Sequence, residues 1–232
     1  AAAHYTSNTV GVLLNLTPQT ILLSFEAADG TIDEDADIAF VTIVLTTSDG
    51  AKSAHPVIVD YETSDGTATD GNDYAGGSGF RIFEQGVPSG SGQQLEIEIE
   101  EDVLDEAQEV FTIRLSNPDG AVLGTETVHS VTIADNDPPP TLSIADAFVY
   151  EGQAGETDAV FTVSLSEVSG RDVAVDYITV ADTADAGTDY VAAGGTLTIP
   201  VDTLESDIAV PVCGDTVVEV DEFFFVFLYN PL

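Results

Sequence analysis

Methionine and tryptophan are absent from this chain of 232 residues, cysteine occurs once, and lysine and arginine together number four. Each shortage excludes something. Gripping a nucleic-acid backbone takes clustered cations that this chain does not have. An anionic membrane surface offers it nothing for the same reason. No apolar run approaches the ~20 residues of a membrane-spanning helix, so membrane insertion is not expected. The single Cys213 cannot close an internal disulfide. It alternates with apolar neighbours and reads as a small buried hydrophobe, with an intermolecular bridge as the alternative. With no methionine at residue 1, a processed chain or a fragment is expected, and Ala1-Ala-Ala suits the new end left by signal-peptide cleavage. Catalytic signatures are missing too: there is no Gly-x-Ser-x-Gly elbow, no His-Glu-x-x-His and no phosphate-cradling glycine loop followed by lysine. His4, His55 and His129 are scattered, which disfavours zinc or copper as well as histidine catalysis.

What the chain has instead is acid. Forty-two Asp and Glu give a formal net charge of −38, while 44% apolar residues still suffice for a packed core. Self-repulsion on that scale costs stability unless counter-ions bind, and divalent cations relieve it most directly. The alternative is that the charge only keeps the surface solvated.

The acids are not scattered, because one pattern is written twice. The first copy reads Thr63-Ser-Asp-Gly-Thr-Ala-Thr-Asp-Gly-Asn-Asp-Tyr74, then Glu101-Asp-Val-Leu-Asp-Glu106, then Glu109 through Asn117-Pro118. The second reads Thr179-Val-Ala-Asp-Thr-Ala-Asp-Ala-Gly-Thr-Asp-Tyr190, then Gly214-Asp-Thr-Val-Val-Glu219, then Glu222 through Asn230-Pro231. A repeat of this period means two like domains. Both copies keep carboxylates in loops, where they are metal ligands before they are catalytic groups. Paired carboxylates of the glycosidase kind are a remote alternative.

β-Branched and aromatic residues alternate in short runs between Gly, Asp, Asn and Pro, and helical periodicity is nearly absent. Strands are predicted near 21–25, 38–46, 56–62, 79–83, 94–100, 109–116 and 127–134, and again near 141–145, 159–165, 172–179, 195–199, 206–212 and 222–229. The expected fold class is all-β: two tandem immunoglobulin-like antiparallel β-sandwiches. The division is 1–18 as an N-terminal extension, 19–137 as the first domain, 138–140 as a stiff proline linker and 141–232 as the second domain. The second copy stops after its sixth strand and so reads as incomplete. Thr9–Thr17, before the first strand, places Val10, Val12, Leu14 and Leu16 on one parity, the pattern of a half-buried strand belonging to neither copy. The sequon at Asn15-Leu-Thr17 is a weak signal inside such a strand. Tyr5 and the aromatics of 223–229 read as core and sheet-surface residues, and the dense aromatic sixth strand of the second copy calls for a covering partner.

Asp65-Gly-Thr-Ala, Gly71-Asn-Asp-Tyr74, the acidic turn Glu101 to Glu109, Leu115-Ser-Asn-Pro118 and Val131-Thr-Ile-Ala-Asp-Asn-Asp137 resemble the Calx-beta domain. This is the calcium-binding sandwich of sodium–calcium exchangers, found also in repeats of large bacterial surface proteins. The resemblance covers about 210 residues and implies calcium between loops at one end of each sandwich. For the first copy it implies Glu34, Asp65, Asp102, Glu106, Glu109, Asp135 and Asp137 as ligands, with Asn136 replacing a middle acid. For the second it implies Glu151, Asp215, Glu219 and Glu222. There Ala181 stands where Asp65 would be, with Asp182 one residue later, and the terminal acidic triplet is missing, so weaker or fewer ions are expected. Six to eight oxygens from flexible loops are what calcium takes, and the residue types agree.

The expectation is a non-enzymatic, secreted structural protein at the cell surface. Calcium stiffens it, and it polymerises head-to-tail with copies of itself as residues 9–17 of one molecule enter the second domain of the next. The alternative is a fragment of a large tandem-repeat adhesin whose partners are neighbouring repeats. A calcium-sensing module like those of exchangers and an accessory part of a secreted enzyme rank below these.

Overall fold

The computed structural model describes residues 18–232. The predicted donor strand, with Val10, Val12, Leu14 and Leu16, lies outside the described residues. Tertiary contacts divide the chain into two units: residues up to Gly30, Ile38–Glu98 and Val110–Val131, and then Thr31–Asp37, Ile99–Glu109 and Thr132–Leu232. No helix among the described residues is long and apolar enough to cross a membrane.

The first repeat is built from β1 (Ile21–Phe25), β2 (Asp29–Asp33), β3 (Ile38–Thr47), β4 (Val57–Ser64), β5 (Ser78–Phe83), β6 (Ser91–Glu98), β7 (Glu109–Asp119), β8 (Val122–Leu123) and β9 (Val128–Ala134). One sheet runs β6-β3-β1-β8 and the other β2-β9-β7-β4-β5. Alternation fixes the register. Along β1 every second residue is buried, and β1 pairs antiparallel with β3 from Ile21↔Thr47 to Phe25↔Ile43. The inward set, including Leu23, Ile43, Leu45, Leu95, Phe111 and Ile113, is fully buried. Removing such side chains from water is the main stabilising contribution, about 1.5–3 kcal/mol for each.

The second repeat comprises β10 (Leu142–Ile144), β11 (Gly155–Leu165), β12 (Val173–Ala181), β13 (Gly194–Ile199), β14 (Glu205–Gly214) and β15 (Phe224–Tyr229). Its sheets run β10-β11-β14 and β13-β12-β15. Val163, Val175, Tyr190, Ile199 and Val210 form its centre.

The repeat extends to detail that the residue pattern encodes. Tyr74 stacks on Phe111 with ring centroids 4.0 Å apart, and Tyr190 stacks on Phe224 at 4.1 Å. Asn117 and Asn230 each precede proline and both hold φ near +50°, which an asparagine tolerates better than most residues. Their amides donate to Asp60 and Asp176, one in each repeat. Every strand predicted from residue 21 onward is present, with ends moved by a few residues. Three elements were not expected: β2, the two-residue β8, which runs parallel to β1, and a 3-10 turn at Glu34–Ala36.

Candidate metal centre

The 3-10 turn follows β2 directly and carries Glu34, a carboxylate buried in spite of its charge. β2 and β9 are sheet neighbours, so the residues after β9 come to the same place. Carboxylate oxygens of Glu34, Asp135 and Asp137 all lie within 4.8 Å of one another. Burial, followed by repulsion from Asp102, Asp135, Asp137 and Glu106, pushes the Glu34 carboxyl up to about 7. Asp137 is raised as well, by desolvation first and Asp135 next. Its Oδ2 is buried and has no hydrogen-bond partner. A buried carboxylate oxygen without a donor is costly unless a cation meets it.

Five predicted ligands therefore act on one place: Glu34, Asp102, Glu106, Asp135 and Asp137. Asp102 is shaped by its own loop, accepting the Leu104 N–H at 2.7 Å, and Asp135 accepts the Asp137 N–H at 3.2 Å. These local turns aim the carboxylates without help from distant residues. Asn136 lies between two of the acids and is exposed, while Glu109 opens β7 half-buried with a carboxylate oxygen within 4.8 Å of one from Glu106.

Asp105, between Asp102 and Glu106, does something else. It is buried, and its carboxylate accepts both Nε (2.9 Å) and Nη2 of Arg171, plus the Ser169 hydroxyl at 3.2 Å. This is the single ion pair among the described residues. The neighbouring backbone is tied down as well, since the Gly170 N–H donates to the Asp105 carbonyl at 3.1 Å.

Asp65 is not brought to a metal group. Its Oδ1 accepts the Tyr74 hydroxyl at 2.7 Å and the Asp70 N–H at 3.0 Å. Burial, and then this bond to Asp65, push the Tyr74 phenol up to about 12. The turn that carries Asp65 is pinned by its next residue. A Cβ at Gly66 would stand 2.2 Å from the Val110 carbonyl oxygen, so only glycine fits.

In the second repeat, oxygens of Asp189, Glu219 and Glu222 lie within 4.8 Å of one another. Both glutamates are raised: burial is the largest cause, then Asp215 for Glu219 and Asp189 for Glu222, with Glu151 acting on both. Asp215 accepts the Val217 N–H at 2.6 Å, the same local turn as Asp102 makes. Four predicted residues thus share one electrostatic neighbourhood: Glu151, Asp215, Glu219 and Glu222. Asp182 is exposed and belongs to no such group. Asp189 was missed. It is the acid of the Gly-Thr-Asp-Tyr turn, one residue before the stacked Tyr190, and its carboxylate also accepts the Asp185 N–H at 2.6 Å. The signal that could have found it is its repeat counterpart, Asp73, whose carboxylate caps the Thr69 N–H at 2.6 Å. Cys213 is half-buried and free, in register with Glu156.

Both sets are anionic, all-oxygen and carried on loops. That donor chemistry fits a hard divalent cation such as calcium and not zinc or copper.

Comparison with known proteins agrees. The family described as the Calx-beta domain matches residues 18–137 and 142–232. The sodium/calcium exchanger Calx of Drosophila melanogaster is 34% identical over 176 residues, covering 75% of this chain and 18% of that protein. Human sodium/calcium exchanger 2 is 29% identical over 206 residues, covering 82% and 22%. The chain thus spans about a fifth of the length of these relatives. Among solved structures, the apo-form Calx CBD1 domain is 34% identical at a TM-score of 0.46, covering 51% of this chain and 99% of that one. The two-domain CBD12 of CALX1.2 is 30% identical at 0.46, covering 91% and 80%.

Proposed function

The chain belongs to the Calx-beta domain family in both of its repeats, and on that premise we propose that it is a calcium-binding, non-enzymatic structural module of the cell exterior. The observation that carries the calcium reading is the convergence of Glu34, Asp135 and Asp137, with one oxygen of Asp137 buried and unpartnered. Glu34, Asp102, Glu106, Asp135 and Asp137 hold the ion in the first repeat. Asp189, Glu219 and Glu222 hold a weaker one in the second, because their group is more exposed to water. Bound calcium offsets part of the −38 charge and stiffens the loops.

The structural role rests on β15. Among the described residues no strand lies beside its outer edge, whereas the equivalent edge of β7 is paired with β9. An open edge beside apolar side chains is an invitation to strand addition. The occupant in this reading is residues 9–17 of a second copy, with Val10, Val12, Leu14 and Leu16 turned inward. Such a contact is heterologous, so it propagates head-to-tail as a filament.

The length of the relatives favours a second reading, in which these repeats are modules of a longer surface chain and the next segment of that chain covers β15. Electron microscopy and sedimentation of the 232-residue chain in millimolar calcium decide between the two. Unbranched filaments support strand donation, whereas a monodisperse monomer at every concentration contradicts it.

A further inference from the structure

The acidic group of the second repeat and the open edge of β15 belong to one cavity of about 460 Å³. Phe148, Tyr150, Phe161 and Phe224 line it together with the carboxylates of Asp189, Glu219 and Glu222. Phe148 and Tyr150 meet edge-to-face at 5.2 Å and are 76% and 83% exposed, an unusual state for two adjacent large aromatics. Their segment precedes Glu151 as β2 precedes Glu34. In the first repeat β9 lies between β2 and β7; in the second, neither the 148–150 segment nor the outer edge of β15 is paired among the described residues. The cavity is therefore an acid-lined slot at the start of the unpaired edge of β15.

The occupant named above suits the slot in its alternating apolar pattern and adds no charge to it. The first acid of the chain is Glu26, so residues 9–17 bring no carboxylate to the cavity, and no cation either. That creates a condition. An inserted apolar strand takes water away from carboxylates less than 5 Å apart, and their repulsion grows as the local dielectric falls. The donor strand cannot neutralise them.

Resting on the strand-donation reading, we propose that Asp189, Glu219 and Glu222 make the slot calcium-gated: they admit residues 9–17 of a second copy only when a divalent cation neutralises them. By linkage, insertion must raise the calcium affinity of this group by the same factor that calcium raises the affinity for the strand.

The test uses the full chain and a synthetic peptide of residues 9–17. Filament growth is followed by light scattering against free calcium, and peptide binding by calorimetry with and without calcium. Growth is expected only above a calcium threshold, and that threshold disappears in the triple variant Asp189→Asn, Glu219→Gln, Glu222→Gln, whose uncharged amides leave nothing for the ion to neutralise. Glu205→Gln, at the start of β14, leaves it unchanged and controls for charge alone. Peptide binding likewise appears only with calcium. Filaments and peptide binding that are equal in chelator overturn the gate while leaving strand donation standing. Absence of both at every calcium concentration, with calcium binding itself intact, overturns strand donation and the gate together.

Discussion

At the scale of single residues, charge burial governs what this chain does, and Glu34 is the sharpest case. Its carboxyl titrates near 7 against an ordinary 4.5. Folding therefore takes up a proton between those values, and a raised carboxyl destabilises the native state once it must ionise. Without calcium, stability is expected to fall as pH rises from about 4.5 to 7 and to level off above. The loss from this group is on the order of 3 kcal/mol. Denaturant unfolding at pH 5 and pH 8 checks the sign, and saturating calcium, which takes the place of the proton, should flatten the profile. Glu34→Gln should reduce the slope in the apo protein, leaving the part due to the other raised carboxyls, and weaken calcium binding. Arg171→Ala is a second test. It leaves Asp105 buried beside other carboxylates without its cation, a loss of about 1–3 kcal/mol once the half-exposed arginine's screening is allowed for. Asp105→Asn in the same background should recover part of it. Residue roles were legible only where the local sequence sets them. Asp102 and Asp215 shape their own turns, so the acidic turn announces itself. Asp65 and Asp189 differ by what lies across the fold: a tyrosine hydroxyl captures the first, and a distant pair of glutamates recruits the second.

At the scale of elements, the strands were legible because inward and outward residues alternate in runs of useful length. β2 was not, since Asp29-Gly-Thr-Ile-Asp33 has one apolar residue in five and is held by its neighbour β9 instead of by its own pattern. The Asp-Gly-Thr-Ala turn is an element whose chemistry can be tested directly. Gly66→Ala drives a Cβ into the Val110 carbonyl and should cost about 1–3 kcal/mol by overpacking, read as a lower midpoint in urea. β15 invites a comparison between repeats. Its outward Phe225, Phe227 and Tyr229 occupy the places of Thr112, Arg114 and Ser116 on β7 and are about half exposed. Phe225→Thr with Phe227→Arg should change stability by no more than roughly 1 kcal/mol while reducing binding of a hydrophobic dye.

At the scale of the whole molecule, composition and fold pose one problem: 42 acids, four bases and one ion pair among the described residues. A chain so charged is most stable when cations bind the native state and not the unfolded one. At a hundredfold excess over the dissociation constant, one site adds about 2.7 kcal/mol. The unfolding midpoint should therefore climb with calcium well beyond what the same ionic strength of sodium chloride produces. The most direct test of the calcium centre is calorimetric titration of calcium into the wild-type chain, Glu34→Gln with Asp137→Asn, and Asp182→Ala. Binding that is lost or weakened at least tenfold in the double variant, and unchanged in Asp182→Ala, is the predicted result. Wild-type affinity retained in the double variant would contradict the assignment.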